Sequence, residues 1–527
     1  MLDRYQGMSK AVVNNTTPNR HIIPGWSGLR SLVLIFSFIL VAALTPAVAA
    51  ASPGPIVHRF AYRSPLSKGN DHDGKMSGPL AGRVSIMPGF PVMTTETPGT
   101  YHAGPGINVL VGDITGDGKP DFLASALANG PLYAWEPDGK VIPGWPATQF
   151  TGAAYAALGK LSKTIPGLQV MVGYMSGGQS YLAAFDGHGH LLPGWPIPDD
   201  NYTATPAALA DINGDGIDEI FVEEEDWTLA GYDAHGNPLP GWPVHVDSGQ
   251  TLYTPTIADI DGDGKPEIIS ASESLSPGGV KVYAWHGDGT LVKGFPISVS
   301  SGLEGTFPVV ADVLGLGKPQ LIFATYPGGN NTSVLIYSGA GVLLKTITIP
   351  GMTAYGRALA IARLDNSPNP EIVVQTDTTL AAVHGDGTYV SGWPQNLGYN
   401  STDNSSPVIG DVTGDGVPDI AITTNQGSGD QGFLSVYSAT GTLELQMQLE
   451  IGSGGVPAMV DLLGNGRNDL LVTGDPWDGS VHKYPKVWAF DFHGAGPYGQ
   501  VPWAQFGRVP EHHSCFSTDT ISSFCQG

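Results

Sequence analysis

"ADIDGDGKPEIISAS" spans Ala258–Ser272. It packs Asp259, Asp261, Asp263 and Glu267 into its first ten residues, then runs directly into an apolar, β-branched stretch. Unit charges about 4 Å apart repel by about 1 kcal/mol even at the dielectric of water. Four carboxylates folded into one turn therefore need a cation or must splay into solvent. The spacing favours a cation. Asp259, Asp261 and Asp263 stand at positions 1, 3 and 5 of a loop, Lys265 at position 7 can offer its backbone carbonyl, and Glu267 stands at position 9. Hard oxygen ligands at alternate positions, with glycines that permit the tight turn, suit Ca2+. An EF-hand would need a glutamate at position 12 and flanking helices. Position 12 here is Ala271, and the flank "PEIISAS" reads as a strand.

The pattern recurs. "GDITGDGKPDFLAS" places Asp113, Thr115, Asp117, Lys119 and Asp121 in the same frame. "ADINGDGIDEIFVE" does so with Asp211, Asn213, Asp215, Ile217 and Glu219, and "GDVTGDGVPDIAIT" with Asp411, Thr413, Asp415, Val417 and Asp419. Lys119, Ile217 and Val417 would contribute backbone carbonyls, as Lys265 does. Four further segments keep the frame and lose ligands. The segments that begin at Lys160, Asp312 and Arg363 are expected to hold no metal, and the Arg363 guanidinium could stand in for the ion. The Asp461 segment keeps Asn465 and Asp469 but has Leu463 at position 3, and is left open.

The first loop positions, 113, 160, 211, 259, 312, 363, 411 and 461, are separated by 47 to 53 residues. A period near 50 with strand patterning and glycine-rich connections implies a four-stranded unit, and radial repetition of such units is a β-propeller. The fold expected is all-β: eight four-stranded blades, with seven as the alternative, and the acidic loop between the first and second strands. In the unit after Asp259, the strands expected are Thr254–Ile260, "EIISAS", Val280–Trp285 and "TLVKGFPI". Both Met87–Val92 and Val501–Val509 resemble a fourth strand, and either could close the ring by pairing at the far end.

"ADINGDG", "ADIDGDGKPEI" and "GDVTGDGVPDI", preceded by "ATPA", "YTPT" and "SSPV", resemble the FG-GAP/VCBS repeat propellers, relatives of the integrin alpha-subunit propeller. The recurring "PGWP" or "GFP" fits bacterial and archaeal members. The resemblance covers about residues 87–510 and implies calcium binding. Members include adhesins, lectin-like binders and propeller domains of some polysaccharide lyases, so the resemblance does not settle function.

The organisation expected is a signal peptide or membrane anchor over 1–51, a flexible linker over 52–84, the propeller over 85–510, and a C-terminal tail over 511–527. Leu32–Leu44 is an apolar run of signal-peptide length, followed by "AVA" at Ala47–Ala49. Export to the cell surface or medium follows, with membrane contact only through that segment if it is retained. Cys515 and Cys525 could form a disulfide in the tail. The formal net charge of −24 disfavours nucleic acid.

No HExxH, G-x-S-x-G or P-loop motif is present. Histidines recur in one turn of the unit, including His188, His235, His286 and His384, and are read as turn residues on separate blades. The "PGWP" tryptophans are read as packing wedges. Irregular connections between second and third strands are better ligand candidates, and Trp227, Tyr326, Trp477 and Tyr484 are their aromatics. The function expected is a non-catalytic binding or adhesion module for an extracellular glycan or protein. The alternatives are an extracellular polysaccharide-active enzyme resembling a lyase, and a scaffold subunit of a surface assembly.

Overall fold

The computed structural model describes residues 76–93, 109–125, 131–147, 155–176, 179–199, 206–224, 227–247, 250–252, 254–274, 280–299, 307–325, 330–352, 359–397, 406–425, 432–449, 455–474, 486–493 and 501. They form eight antiparallel sheets and no helix. Each sheet is one blade, numbered 1 to 8 from the Asp113 repeat onward. The expected loop frame falls between the first and second strands of every blade.

Inner strands are short and rich in small residues: Ala208–Ala210, Thr256–Ala258, Ala360–Ala362 and Ala458–Val460 are examples. Eight strands crowd one axis, and small side chains let them approach. The inner strand of blade 8, Ala458–Val460, adjoins that of blade 1, Leu110–Gly112, so the ring closes with eight blades and not seven. Closure uses the N-terminal candidate. Val92 and Met93 pair with Val487 and Lys486, and the Met87 N–H donates to the Ala489 carbonyl at 2.9 Å. Of the C-terminal candidate, Val501 packs on the core between blades 7 and 8, and residues 502–509 lie outside the described residues.

Two details differ from the sequence reading. "TLVKGFPI" is not one strand. Leu291 makes a single bridge to Trp285, a turn follows in which the Phe295 N–H donates to the Val292 carbonyl, and the outer strand is only Ile297–Val299. Gly294, at φ 105°, turns the chain, and Pro296 has no N–H for a ladder. Within the stretch expected as linker, Met76–Ser77 pairs with the outer strand of blade 7.

The apolar core lies between blades. One cluster joins Trp195, Leu209, Ile220 and Val222 of blades 2 and 3, and equivalents fill the other junctions. Each "PGWP" tryptophan is buried at such a junction, and its indole N–H donates to the next blade's turn. Trp145 donates to the Gly187 carbonyl at 3.0 Å, Trp195 to Ala234 at 2.9 Å, Trp242 to Gly287 at 2.9 Å, and Trp393 to Ala439 at 2.7 Å. Burial of so large a ring with its one polar atom satisfied makes a wedge, not a sugar platform. Phe295 holds the same place in blade 4 without a donor. Replacing Trp195 by Phe should therefore preserve the ring and lower unfolding free energy by about 1–2 kcal/mol, the worth of one buried hydrogen bond with a little packing. Denaturant titration measures this.

Candidate metal centres

The loop between first and second strands is shaped by its two end carboxylates. In blade 4, Asp259 Oδ1 accepts the Gly262 N–H at 2.6 Å and Oδ2 accepts that of Gly264 at 2.9 Å. These bonds draw positions 4 and 6 around the first carboxylate. Both glycines have positive φ, 86° and 87°, a conformation open to Gly at no steric cost. The position 9 carboxylate closes the other end, where Glu267 Oε2 accepts the Ile260 N–H at 2.8 Å. Asp113, Asp211 and Asp411 take the same N–H groups in blades 1, 3 and 7. Asp121, Glu219 and Asp419 repeat the closing bond. Asp117, Asp215, Asp263 and Asp415 each accept the N–H of position 7, which leaves the carbonyls of Lys119, Ile217, Lys265 and Val417 as further oxygen donors. Thr115 donates its hydroxyl to Asp121, Asn213 donates its amide to Glu219, and Thr413 donates its hydroxyl to Asp411.

These groups fit a cation. The ligand oxygens of Asp259, Asp261 and Asp263 lie within 4.8 Å of one another. Every donor is a hard oxygen. Burial, reinforced by the neighbouring acids, pushes Glu219, Glu267 and Asp419 each up to about 7, and raises Asp121 as well. Blade 8 supplies a further indication. Asp461 accepts the Asn465 and Gly466 N–H groups, Asp469 Oδ2 makes the closing bond to the Leu462 N–H, Asp469 is fully buried, and its Oδ1 has no hydrogen-bond partner. An orphaned buried carboxylate oxygen is costly unless something positive reaches it.

Of the four loops without the full ligand set, those of blades 2, 5 and 6 answer the same need internally. Lys160 Nζ donates to the carbonyls of Ile165 at 3.2 Å and Gly167 at 3.1 Å. Arg363 Nη1 donates to the carbonyls of Ser367 at 3.1 Å and Pro368 at 2.7 Å. In blade 5, Gln320 Nε2 donates to Asp312 Oδ1 at 2.9 Å and to the Lys318 carbonyl. An ammonium, a guanidinium and an amide thus occupy the middle of loops that share one frame.

Sequence reading missed two features. His286 and His384 are more than turn residues, because their Nδ1 atoms reach Glu267 at 3.2 Å and Glu371 at 3.3 Å. The histidine that follows the third strand faces position 9 across the sheet, and the signal was its pairing with Glu at that position. Neighbouring loops are also tied. The Leu168 N–H donates to the Asp113 carbonyl at 2.8 Å, Asp218 accepts the Lys160 N–H at 2.6 Å, and Asn468 donates to the Asp411 carbonyl at 2.8 Å. Of the candidate ligand aromatics, Trp227 is 39% exposed at φ 59° on its connection. Tyr326, Trp477, Tyr484, Cys515 and Cys525 lie outside the described residues.

Two outcomes follow. The folded, metal-free protein holds protons on Glu219, Glu267, Asp419 and Asp469 up to about pH 7. Unfolded carboxylates release theirs near pH 4 to 4.5. The folded state therefore binds more protons between these values, and stability should fall as pH rises from about 4.5 to about 7 in chelator, then level off. Thermal melts across that range test it. Separately, Lys160→Met leaves two loop carbonyls unpaired and should cost about 2 kcal/mol. That cost should be the same in chelator and in excess divalent cation, as read by denaturant titration.

A family model described as FG-GAP-like repeat matches residues 259–323, and one described as FG-GAP repeat matches residues 404–437. No curated protein matches the chain. Among solved structures, the V. cholerae biofilm matrix protein Bap1 is similar at 13% identity and TM-score 0.43, over 80% of this chain and 94% of that one. BamB from Moraxella catarrhalis is similar at 14% identity and TM-score 0.46, over 75% and 99%. Bacillus licheniformis rhamnogalacturonan lyase PL11 is similar at 13% identity and TM-score 0.44, over 83% and 96%. With eight blades closed into a ring and repeat matches that begin at or just before the acidic loops, the chain is a β-propeller that carries FG-GAP repeats.

Proposed function

We propose that this is an exported, Ca2+-stabilised propeller that binds an extracellular glycan or protein and catalyses no reaction. Calcium suits the loops because their donors are carboxylates, an amide, hydroxyls and backbone carbonyls, all hard oxygens. Asp113, Asp211, Asp259 and Asp411 with their partners would hold it, and the blade 8 loop is a fifth candidate. Sites repeated around the ring suit a structural ion, which ties strand one to strand two in each of those blades. Export rests on the apolar run Leu32–Leu44, which lies outside the described residues.

The observation that carries the binding reading is Trp227. It is a large aromatic, 39% exposed, on the second-to-third strand connection of blade 3. Its backbone sits at φ 59°, and its carbonyl accepts the Val246 N–H at 2.9 Å. Bulky residues rarely adopt this conformation, and such outliers gather at ligand sites. Glu224 precedes it in the chain and accepts hydrogen bonds from Thr228 and Tyr232. An exposed flat apolar ring is suited to a sugar face or an extended peptide.

The test incubates the protein with a panel of polysaccharides and matrix proteins, with calcium and with chelator, and reads retained protein and new sugar ends together. Retention in calcium without new ends is the expected result, and new ends above a no-protein control would overturn the non-catalytic reading. Trp227→Asn tolerates the left-handed backbone and should weaken retention about tenfold, about 1.4 kcal/mol, without changing the melting temperature. Calcium should raise that temperature, and chelator should reverse the rise.

A further inference from the structure

Among the described residues seven blades have an outer strand, and these strands come in two lengths. In blades 2, 3, 4, 6 and 8 the outer strand has two or three residues and follows a proline. Blades 5 and 7 lack that turn, and their outer strands, Leu343–Pro350 and Leu443–Leu449, have eight and seven residues. A long free edge is a template for another strand. In blade 7 the edge is taken: Met76 and Ser77 pair with Met447 and Gln446, and the Leu80 N–H donates to the Glu444 carbonyl at 3.0 Å. In blade 5, Leu343–Pro350 pairs only with Asn331–Ser338 among the described strands.

The register shows what that edge offers. The Gly351 N–H donates to the Asn330 carbonyl, which makes Asn331 and Pro350 a non-hydrogen-bonded pair. Stepping by two, Ser333–Thr348 and Leu335–Thr346 are pairs of the same kind. The N–H and C=O groups of Thr346 and Thr348 therefore point away from the blade. Ile347 and Ile349 are buried on the inner face, whereas Thr346 and Thr348 are exposed. At the start of the strand, Val342, Leu343 and Leu344 are 58%, 48% and 40% exposed, and Leu316 of the loop at the same end of the blade is 58% exposed.

We infer that the outer strand of blade 5 is a dimerisation edge, pairing antiparallel with the same strand of a second copy of this chain across a two-fold axis at Thr346. An antiparallel edge is complementary to itself, and a two-fold closes the assembly at two copies. With the axis at Thr346, Leu344 faces Thr348 of the other copy and Lys345 faces Ile347, so no like charges meet. Lys345 is the only charge on the strand in a chain of net charge −24. Most of the surface repels a second copy, and this edge does not. Blade 7 shows that this chain itself supplies an antiparallel strand to such an edge.

Sedimentation equilibrium of the full chain, from about 1 µM to about 1 mM, tests the inference. A strand pair is a small interface, so a monomer–dimer equilibrium within that range is expected. Thr346→Pro with Thr348→Pro removes two outward N–H groups and no hydrogen bond within blade 5. This variant should keep its melting temperature and dimerise at least about tenfold more weakly. A monomer throughout the range, or a variant that dimerises as well as the parent, overturns the inference. Should the variant fail to fold, hydrogen exchange of the parent decides. Protection of the Thr346 and Thr348 amides should rise with protein concentration. Protection independent of concentration, whether from a segment of the same chain or from nothing at all, overturns the inference.

Discussion

In six of the eight blades the first loop position carries a carboxylate that gathers backbone N–H groups, and those blades depend on the turn it makes. Asp259 holds the Gly262 and Gly264 amides, and that bond set turns the chain from the inner strand into the second one. The register of a blade follows from this turn, because Ala258 then pairs with Glu267 and Ile257 with Ile268. A slip of one residue would move Ile268 and the buried residues after it to the opposite face. The loop also reaches sideways, since the Asp113 and Asp411 carbonyls are bonded by the following blade. Local turn chemistry and the packing of one blade on the next are therefore parts of one construction.

Gathering carboxylates creates a charge problem, and the eight loops resolve it differently. Blades 1, 3, 4 and 7 keep oxygen ligands that fit a cation. Blades 2 and 6 insert their own cation, Lys160 and Arg363, among loop carbonyls. Blade 5 exchanges the position 9 acid for Gln320, whose amide bridges Asp312 and a carbonyl. The frame survives because the closing side chain still accepts a backbone N–H from the start of the loop, Gln169 from Leu161 in blade 2, Gln320 from Leu314 in blade 5 and Glu371 from Leu364 in blade 6. In blade 6 the remaining acids also meet His384, whose two ring nitrogens lie 3.3 Å from Glu371 and 3.5 Å from Asp365. A ring built this way would draw stability from an ion on some blades and be independent of it on others.

Edges set the second constraint. A ring shelters its short inner edges around the axis, and the last blade is completed by residues from the other end of the chain. Outer edges remain, and most are kept short by a proline turn whose aromatic neighbour wedges the next blade. Burying the wedge and cutting the strand are thus done by the same few residues. Blades 5 and 7 give up both devices and keep long ladders, which is why the strand added to one of them draws notice to the other.

Much of this was legible in the residues. Alternate acids with interposed glycines carry their chemistry in the spacing, so the loops, the period and the four-stranded unit could all be read without coordinates. Periodic apolar strands likewise implied a propeller, because a two-residue period is a local property. What spacing does not encode is which residues far apart in sequence become neighbours. Only the tertiary structure decided that eight blades close and that Met87 and Val92 complete the eighth. The same holds for Trp195 finding its acceptor in Ala234 of the next blade, and for His286 turning back to Glu267. Those contacts arise from the curvature of the ring and the stacking of sheets, and neither is a property of any one repeat.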